Sequence, residues 1–180
     1  MVSVNEIPAE TAAAGADIFI CETTEIVALA AQSPTSGSGA WTAFGPADIN
    51  NPVNPGTTVS DLSIGENYFV WTLSSGACEN FAADTVLVSV TAESSEQAQA
   101  GSDQSFCNNA SAIALNASPA LGAGIVGQWS QPSSQAQLGV EILEPNNPSS
   151  PISGFFPNNN YLFTWTLTNG ACGAYRSEEH

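Results

Sequence analysis

The sequence has no lysine and a single arginine, Arg176, against seventeen Asp and Glu, for a formal charge of -16. That imbalance excludes nucleic acid as a natural partner, because such binding relies on cationic side chains to neutralise phosphates. It disfavours anionic membrane surfaces on the same ground. The one histidine is His180, and no GxSxG, HExxH or Gly-rich phosphate loop occurs, so catalytic residues are absent from the expectation and the chain reads as a non-enzyme. No apolar run approaches the roughly 18 residues that cross a bilayer, so membrane insertion is not expected. The first residues lack the charged start and apolar core of a signal peptide, which places any export signal outside this stretch. No CxxC pair exists either, and the four cysteines read as two disulfides rather than a redox or zinc site. Such bonds form in an oxidising compartment, which means periplasm, cell surface or medium.

What is present fits export. Charged residues make up only 10% of the chain, while Ser, Thr, Asn, Gly, Pro and Ala abound. The acidic excess reads as a solubility device that keeps neighbouring molecules apart.

The chain repeats itself. Trp71-Thr72-Leu73-Ser74-Ser75-Gly76-Ala77-Cys78 returns 94 positions later as Trp165-Thr166-Leu167-Thr168-Asn169-Gly170-Ala171-Cys172. Phe69, Trp71 and Leu73 alternate with smaller residues, as do Phe163, Trp165 and Leu167, which is the period of a strand with one buried face. Ser-Ser-Gly and Thr-Asn-Gly then supply turn residues, so the chain reverses before each cysteine. Val2 to Cys21 also aligns without gaps on Val88 to Cys107, sharing Val-Ser-Val, a Glu, Ala-Gly, an Asp and the cysteine. The repeat unit therefore ends in a Val-Ser-Val strand. Residues 1–13 become the last strand of a preceding repeat plus a linker, 14–92 the first repeat, 93–99 a linker, and 100–180 a second repeat that lacks its closing strand.

Within the first repeat, strands are expected near Val27–Leu29, Ala40–Phe44, Thr57–Leu62, Asn67–Leu73 and Thr85–Thr91. Pro34–Gly39 and the Pro52/Pro55 stretch break them. The second repeat follows in the same order, with Ile113 and Leu115 for Val27 and Leu29, Trp129 for Trp41, and Asn146-Asn147-Pro148 for Asn50-Asn51-Pro52. Six or seven short strands per repeat and no helical period give an all-β fold of two tandem Ig-like β-sandwiches.

Bonds from Cys21 to Cys78 and from Cys107 to Cys172 would close loops of about 58 and 66 residues and stabilise each repeat by roughly 4 kcal/mol, although four cysteines leave three pairings open. The four tryptophans, at matched strand positions, read as core residues. Tyr68, Phe155, Phe156 and Tyr161 flank turns and are the candidates for exposure, with nothing to cluster them. Asp17 and Asp103, near linker carboxylates Glu6, Glu10, Glu93 and Glu96, are candidate Ca²⁺ ligands, although no spaced DxDxDG ligand motif supports them; no other cofactor is expected. Asn109-Ala110-Ser111 and Asn116-Ala117-Ser118 match the N-glycosylation pattern and read as chance matches.

Ala14-Gly15-Ala16-Asp17 with Cys21, Ala100-Gly101-Ser102-Asp103 with Cys107, the central Trp41 and Trp129, the Asn-Pro loops and the two Trp-Thr-Leu-x-x-Gly-Ala-Cys strands carry a resemblance over nearly the whole chain. It is similar to the tandem Ig-like, PKD-like repeats of very large surface proteins in gliding and related Bacteroidetes. The resemblance implies a substrate of type IX secretion acting as an adhesin or filament at the cell surface. Where PKD domains proper carry a Trp-Asp-Phe-Gly-Asp-Gly-like motif, this chain has Trp41-Thr42-Ala43-Phe44-Gly45-Pro46 and Trp129-Ser130-Gln131-Pro132. The expected role is to extend, resist proteases and present a surface, with a glycan-binding module as the alternative. Expected partners are neighbouring repeats of the same protein and surface glycans. The offset start adds head-to-tail self-assembly, in which Val2–Val4 of one molecule fills the edge left open in another.

Overall fold

The computed structural model describes residues 4, 6–7, 9–107, 113–132 and 139–178. They form two compact units, Met1–Glu93 and Ser94–His180. The expected strand at Val2–Val4 and the Asn109 glycosylation motif fall mainly outside the described residues.

The first unit contains β1 (Ile18–Cys21), β2 (Val27–Ala28), β3 (Ser38–Phe44), β4 (Asp48–Ile49), β5 (Thr58–Ser60), β6 (Gly65–Ser75) and β7 (Cys78–Thr91). One sheet runs β1-β7-β6-β3 and the other β2-β5-β4. The long β6–β7 hairpin organises both. Its loop is only Gly76-Ala77, since Ser75 pairs with Cys78, and Gly76 takes the left-handed φ of 58° that so short a reversal favours. On β6 the residues Asn67, Phe69, Trp71 and Leu73 point inward, and on β7 Val86, Val88 and Val90 do the same. They meet Val27, Leu29 and Val59 from the opposite sheet in one core. Two packed sheets, a parallel first strand beside the last, and a buried tryptophan on β3 make this an Ig-like sandwich.

Trp41 lies opposite Trp71 across β3 and β6, their rings 5.1 Å apart and tilted by 48°. Such a pair adds about 0.5–1.5 kcal/mol beyond the area it buries. Each indole also has an acceptor, Trp41 Nε1 donating to Pro55 O and Trp71 Nε1 to Gln32 O, both at 3.2 Å. Trp71 fits because Gly39 faces it: a methyl there would collide with the indole ring. Buried Asn67 is not a misplaced polar group, because its side chain accepts from Ser63 N and donates to Ser63 O and Val88 O.

The second unit contains β8 (Ile113–Ala114), β9 (Ile125–Ser130), β10 (Glu141–Ile142), β11 (Pro151–Ser153), β12 (Thr164–Asn169) and β13 (Ala174–Glu178). Its sheets run β13-β12-β9 and β10-β11-β8. The construction is that of the first unit: Trp129 opposes Trp165 at 5.1 Å and 49°, and Gly127 makes room for Trp165 as Gly39 does for Trp71. Trp129 Nε1 donates to Pro148 O at 3.0 Å, whereas buried Trp165 Nε1 has no acceptor among the described residues.

Hydrogen bonds correct the alignment of the proline loop. Trp41 N donates to Pro52 O and Trp129 N to Pro145 O, both at 2.7 Å; Ala31 N donates to Pro55 O and Ala117 N to Pro148 O. Pro148 is thus the counterpart of Pro55, not of Pro52. The shared Asn-Asn-Pro letters misled, because the loop is defined by which carbonyls cap the neighbouring strands. Buried Thr57 and Ser150 complete it, their hydroxyls accepting from Asn51 N and Glu144 N.

A closing strand was expected to be missing from the second unit, yet β13 pairs with β12 as β7 pairs with β6. β13 is shorter than β7: it ends at Glu178, which pairs with Thr164 as Thr85 pairs with Val70, and nothing among the described residues matches Val86–Thr91. One effect went unforeseen: Gly101–Cys107, which corresponds to the β1 stretch, is not a strand. In the first unit β1 pairs with Val88–Thr91, and the described residues of the second unit include no such pairing. The stretch taken as a linker also contributes to packing, since Ala98 is buried in the second core. The described residues contain no helix long and apolar enough to cross a membrane.

Candidate functional site

The inner faces are consumed by packing, so any function lies on outer faces, loops or ends. On the outer face of the first unit's larger sheet, strand register sets Phe44 opposite Tyr68 and Tyr68 opposite Leu87. Phe19 stands on the same face of β1, opposite Ser89, while Ile18 and Ile20 turn to the core. Phe44 and Phe19 are 71% and 68% exposed, and Tyr68 is 39% exposed, so four strands carry a shallow apolar row open to solvent. Two carboxylates edge it. Tyr68 OH donates to Glu66 Oε2 at 2.6 Å, and this bond, followed by slight burial and the charges of Glu66 and Asp17, holds the phenol above its ordinary pKa.

Tyr68 therefore clusters with residues that sequence reasoning passed over. Period two could have found them, because Phe44 and Tyr68 sit out of phase with the buried tryptophans of their own strands. Phe155, Phe156 and Tyr161 also come together, contrary to expectation. Phe155 packs edge-on against Tyr161 at 4.9 Å, and Tyr161 OH accepts from Phe156 N at 2.9 Å. With Phe106 and Asn158 they line a groove in the second unit.

The calcium candidates do not assemble a site. Asp17 Oδ1 accepts from Leu87 N at 3.0 Å, which pins the start of β1 to β7, and Asp103 is exposed. Glu10 and Glu96 have parallel duties, Glu10 accepting from Thr35 N and Glu96 from Leu121 N and Gly122 N. Among the described residues no three His, Cys, Asp or Glu gather as metal ligands. Asn116 of the second glycosylation motif is exposed.

The expected pairing of cysteines within each repeat is overturned. Cys21 and Cys172 are disulfide-bonded, while Cys107 is an exposed free thiol. Cys21 ends β1 opposite Thr91, where the first unit ends; Cys78 lies at the hairpin tip, its Sγ 3.7 Å from the carbonyl oxygen of Glu6, where the unit begins. Cys172 closes the equivalent tip of the second unit, in a 3-10 turn over Gly170–Cys172. Matching sequence positions had suggested proximity, but the two cysteines of one repeat occupy opposite ends of its longest strand.

No protein-family model matches the chain. No curated protein matches it either. Among solved structures, extracellular domains 3–5 of Drosophila OTK align over 94% of this chain and 58% of that one, with 14% identity and a TM-score of 0.47. The human desmocollin-1 ectodomain aligns over 97% of this chain and 37% of that one, at 12% identity and a TM-score of 0.35. For human mucin-like protocadherin EC1-2 the coverages are 95% and 96%, the identity 12% and the TM-score 0.36. The chain thus spans little more than half of the OTK fragment.

Proposed function

We propose that the chain is part of the structural repeat region of a secreted adhesin or filament at the cell surface, of the kind met in gliding Bacteroidetes. Its work is to extend and to present a binding surface, without catalysis. One observation carries this reading. The two units agree in core, tryptophan pairs and loop hydrogen bonds, yet differ on the outer face: the row of Phe19, Phe44, Tyr68 and Leu87 has no aromatic counterpart, since Ser105, Pro132 and Leu162 stand at the positions equivalent to Phe19, Phe44 and Tyr68. Shared features serve folding, and a solvent-exposed apolar row in only one copy serves recognition. The disulfide supports an oxidising compartment.

The test is adhesion. Beads coated with the chain should be captured by its target surface, and the double variant Phe44→Ser/Tyr68→Ser, its fold checked by circular dichroism, should lose capture at least tenfold. Unchanged capture would remove the row from the proposal.

A second reading, glycan binding, is favoured by the groove of Phe106, Phe155, Phe156 and Tyr161. There ring faces for sugar stacking adjoin the side-chain amides of Asn158 and Asn159. A glycan array on which Tyr161→Ala and the unaltered chain score alike would eliminate it.

A further inference from the structure

The two units differ most where the long strand β7 of the first unit ends. There residues 86–91 lie between two neighbours, pairing with residues 65–69 of β6 on one side and, from Val88 onward, with Ile18–Cys21 on the other. Val86 and Val88 thereby enter one core cluster with Leu29, Val59 and Phe69.

The second unit holds the same surroundings. Leu115, Ile152 and Phe163 stand for Leu29, Val59 and Phe69 in its core, residues 104–107 for Ile18–Cys21, and residues 159–163 for residues 65–69. All of these except Leu162 line one groove of about 1250 Å³. Neither flanking stretch is a strand there, and Phe106, at the position of half-buried Ile20, is 50% exposed. The groove is larger than the roughly 300–1,000 Å³ of small-molecule sites. Its two walls are the stretches whose counterparts pair with the strand of the first unit, so its shape suits an extended backbone better than a sugar.

We propose that this groove accepts an extended strand from a second copy of the chain. The segment that fits is Val2-Ser3-Val4, identical to Val88-Ser89-Val90, and Val4 is 94% exposed. By the register of the first unit, Val2 comes to lie between Gln104 and Tyr161, and Val4 between Phe106 and Asn159. The added strand runs parallel to residues 104–107 and antiparallel to residues 159–163. Main-chain hydrogen bonds supply the affinity of such an added strand, and pockets for alternate side chains, here the two valines, supply its specificity. Donor and acceptor are different surfaces, so the contact is heterologous and each joined copy can take on another.

Light scattering from the full chain at rising concentration tests this, in salt of about 0.15 M that screens the acidic surfaces beyond about 8 Å. From 18.5 kDa for one chain the average mass should rise about twofold or more. A synthetic peptide with the sequence of residues 85–91, in about tenfold excess, should return it to one chain, and a scrambled peptide should not. The chain without residues 1–4 should stay at single-chain mass and still bind the peptide, with amide exchange slowed about tenfold at residues 104–107 and 159–163 and unchanged in β9. Equal masses for the full and shortened chains, or a peptide that fails to bind, overturn the proposal. A glycan-array ligand that slows exchange at these residues where the peptide does not overturns it in favour of the sugar reading. The double variant Phe44→Ser/Tyr68→Ser, which tests adhesion, should leave the mass increase unchanged; a monomeric double variant would move the contact to the outer row and refute the groove.

Discussion

At the scale of the residue, the least replaceable side chain is one the chain does not have. Gly39 and Gly127 each stand two residues before a core tryptophan and lie under the indole of the facing strand. Gly39→Ala should force Trp71 off its place and cost about 1–3 kcal/mol, as overpacking of a filled core does. Urea unfolding followed by tryptophan fluorescence measures it, and a loss under 0.5 kcal/mol would show that the indole has room to move. Tyr68 gives a second residue-scale prediction. Its hydrogen bond to Glu66 raises the phenol's pKa, so the contribution to stability is fully present below the ordinary tyrosine value near 10 and fades as pH rises through the folded one. Glu66→Gln removes the charged acceptor, and absorbance titration at 295 nm should show this tyrosine ionising at lower pH than in the unaltered chain.

At the scale of the element, β1 is the informative case. Strand periodicity made the tryptophan strands, the valine strand and the turns legible, because each reports a local choice between a buried and a solvated face. β1 was not legible. It is short and pairs in parallel with Val88–Thr91, about 70 positions away. Its counterpart in the second unit, Gln104-Ser105-Phe106-Cys107, shares only the cysteine with it and is not a strand. The ends of the units were hidden for the same reason: Cys21 and Cys78 look paired in sequence, and only the length of β7 separates them. Loop register was obscured by letters that repeat three positions out of phase with the carbonyls that matter. Asp17 is the residue that holds β1 in place, accepting from Leu87 N, while Asp84 accepts from Ala14 N at 2.8 Å. Asp17→Ala should cost about 1–2 kcal/mol, as loss of a charge-assisted bond does. Faster hydrogen exchange should appear at Leu87 and Val88 but not at Phe69, and uniform acceleration across the unit would assign the aspartate a global role instead.

At the scale of the whole molecule, two units of one design should differ in stability. The first core includes Val86 and Val88, 1% and 0% exposed, with Val90 buried beside them; the described residues of the second hold no equivalent. A fully buried valine contributes about 1.5 kcal/mol or more. Trp165 Nε1 of the second unit is also buried with no acceptor among the described residues, where Trp71 Nε1 has Gln32 O. An unmet buried donor costs about 1–3 kcal/mol. Both differences act in one direction, so the chain with its disulfide reduced should unfold in two steps in urea, the second unit first. Hydrogen-exchange mass spectrometry resolves the order, since peptides from β9 and β12 should lose protection at lower urea than peptides from β3 and β6. Coincident loss in all four strands would mean that the units fold as one cooperative body, and the independence on which a tandem repeat depends would not hold for this chain.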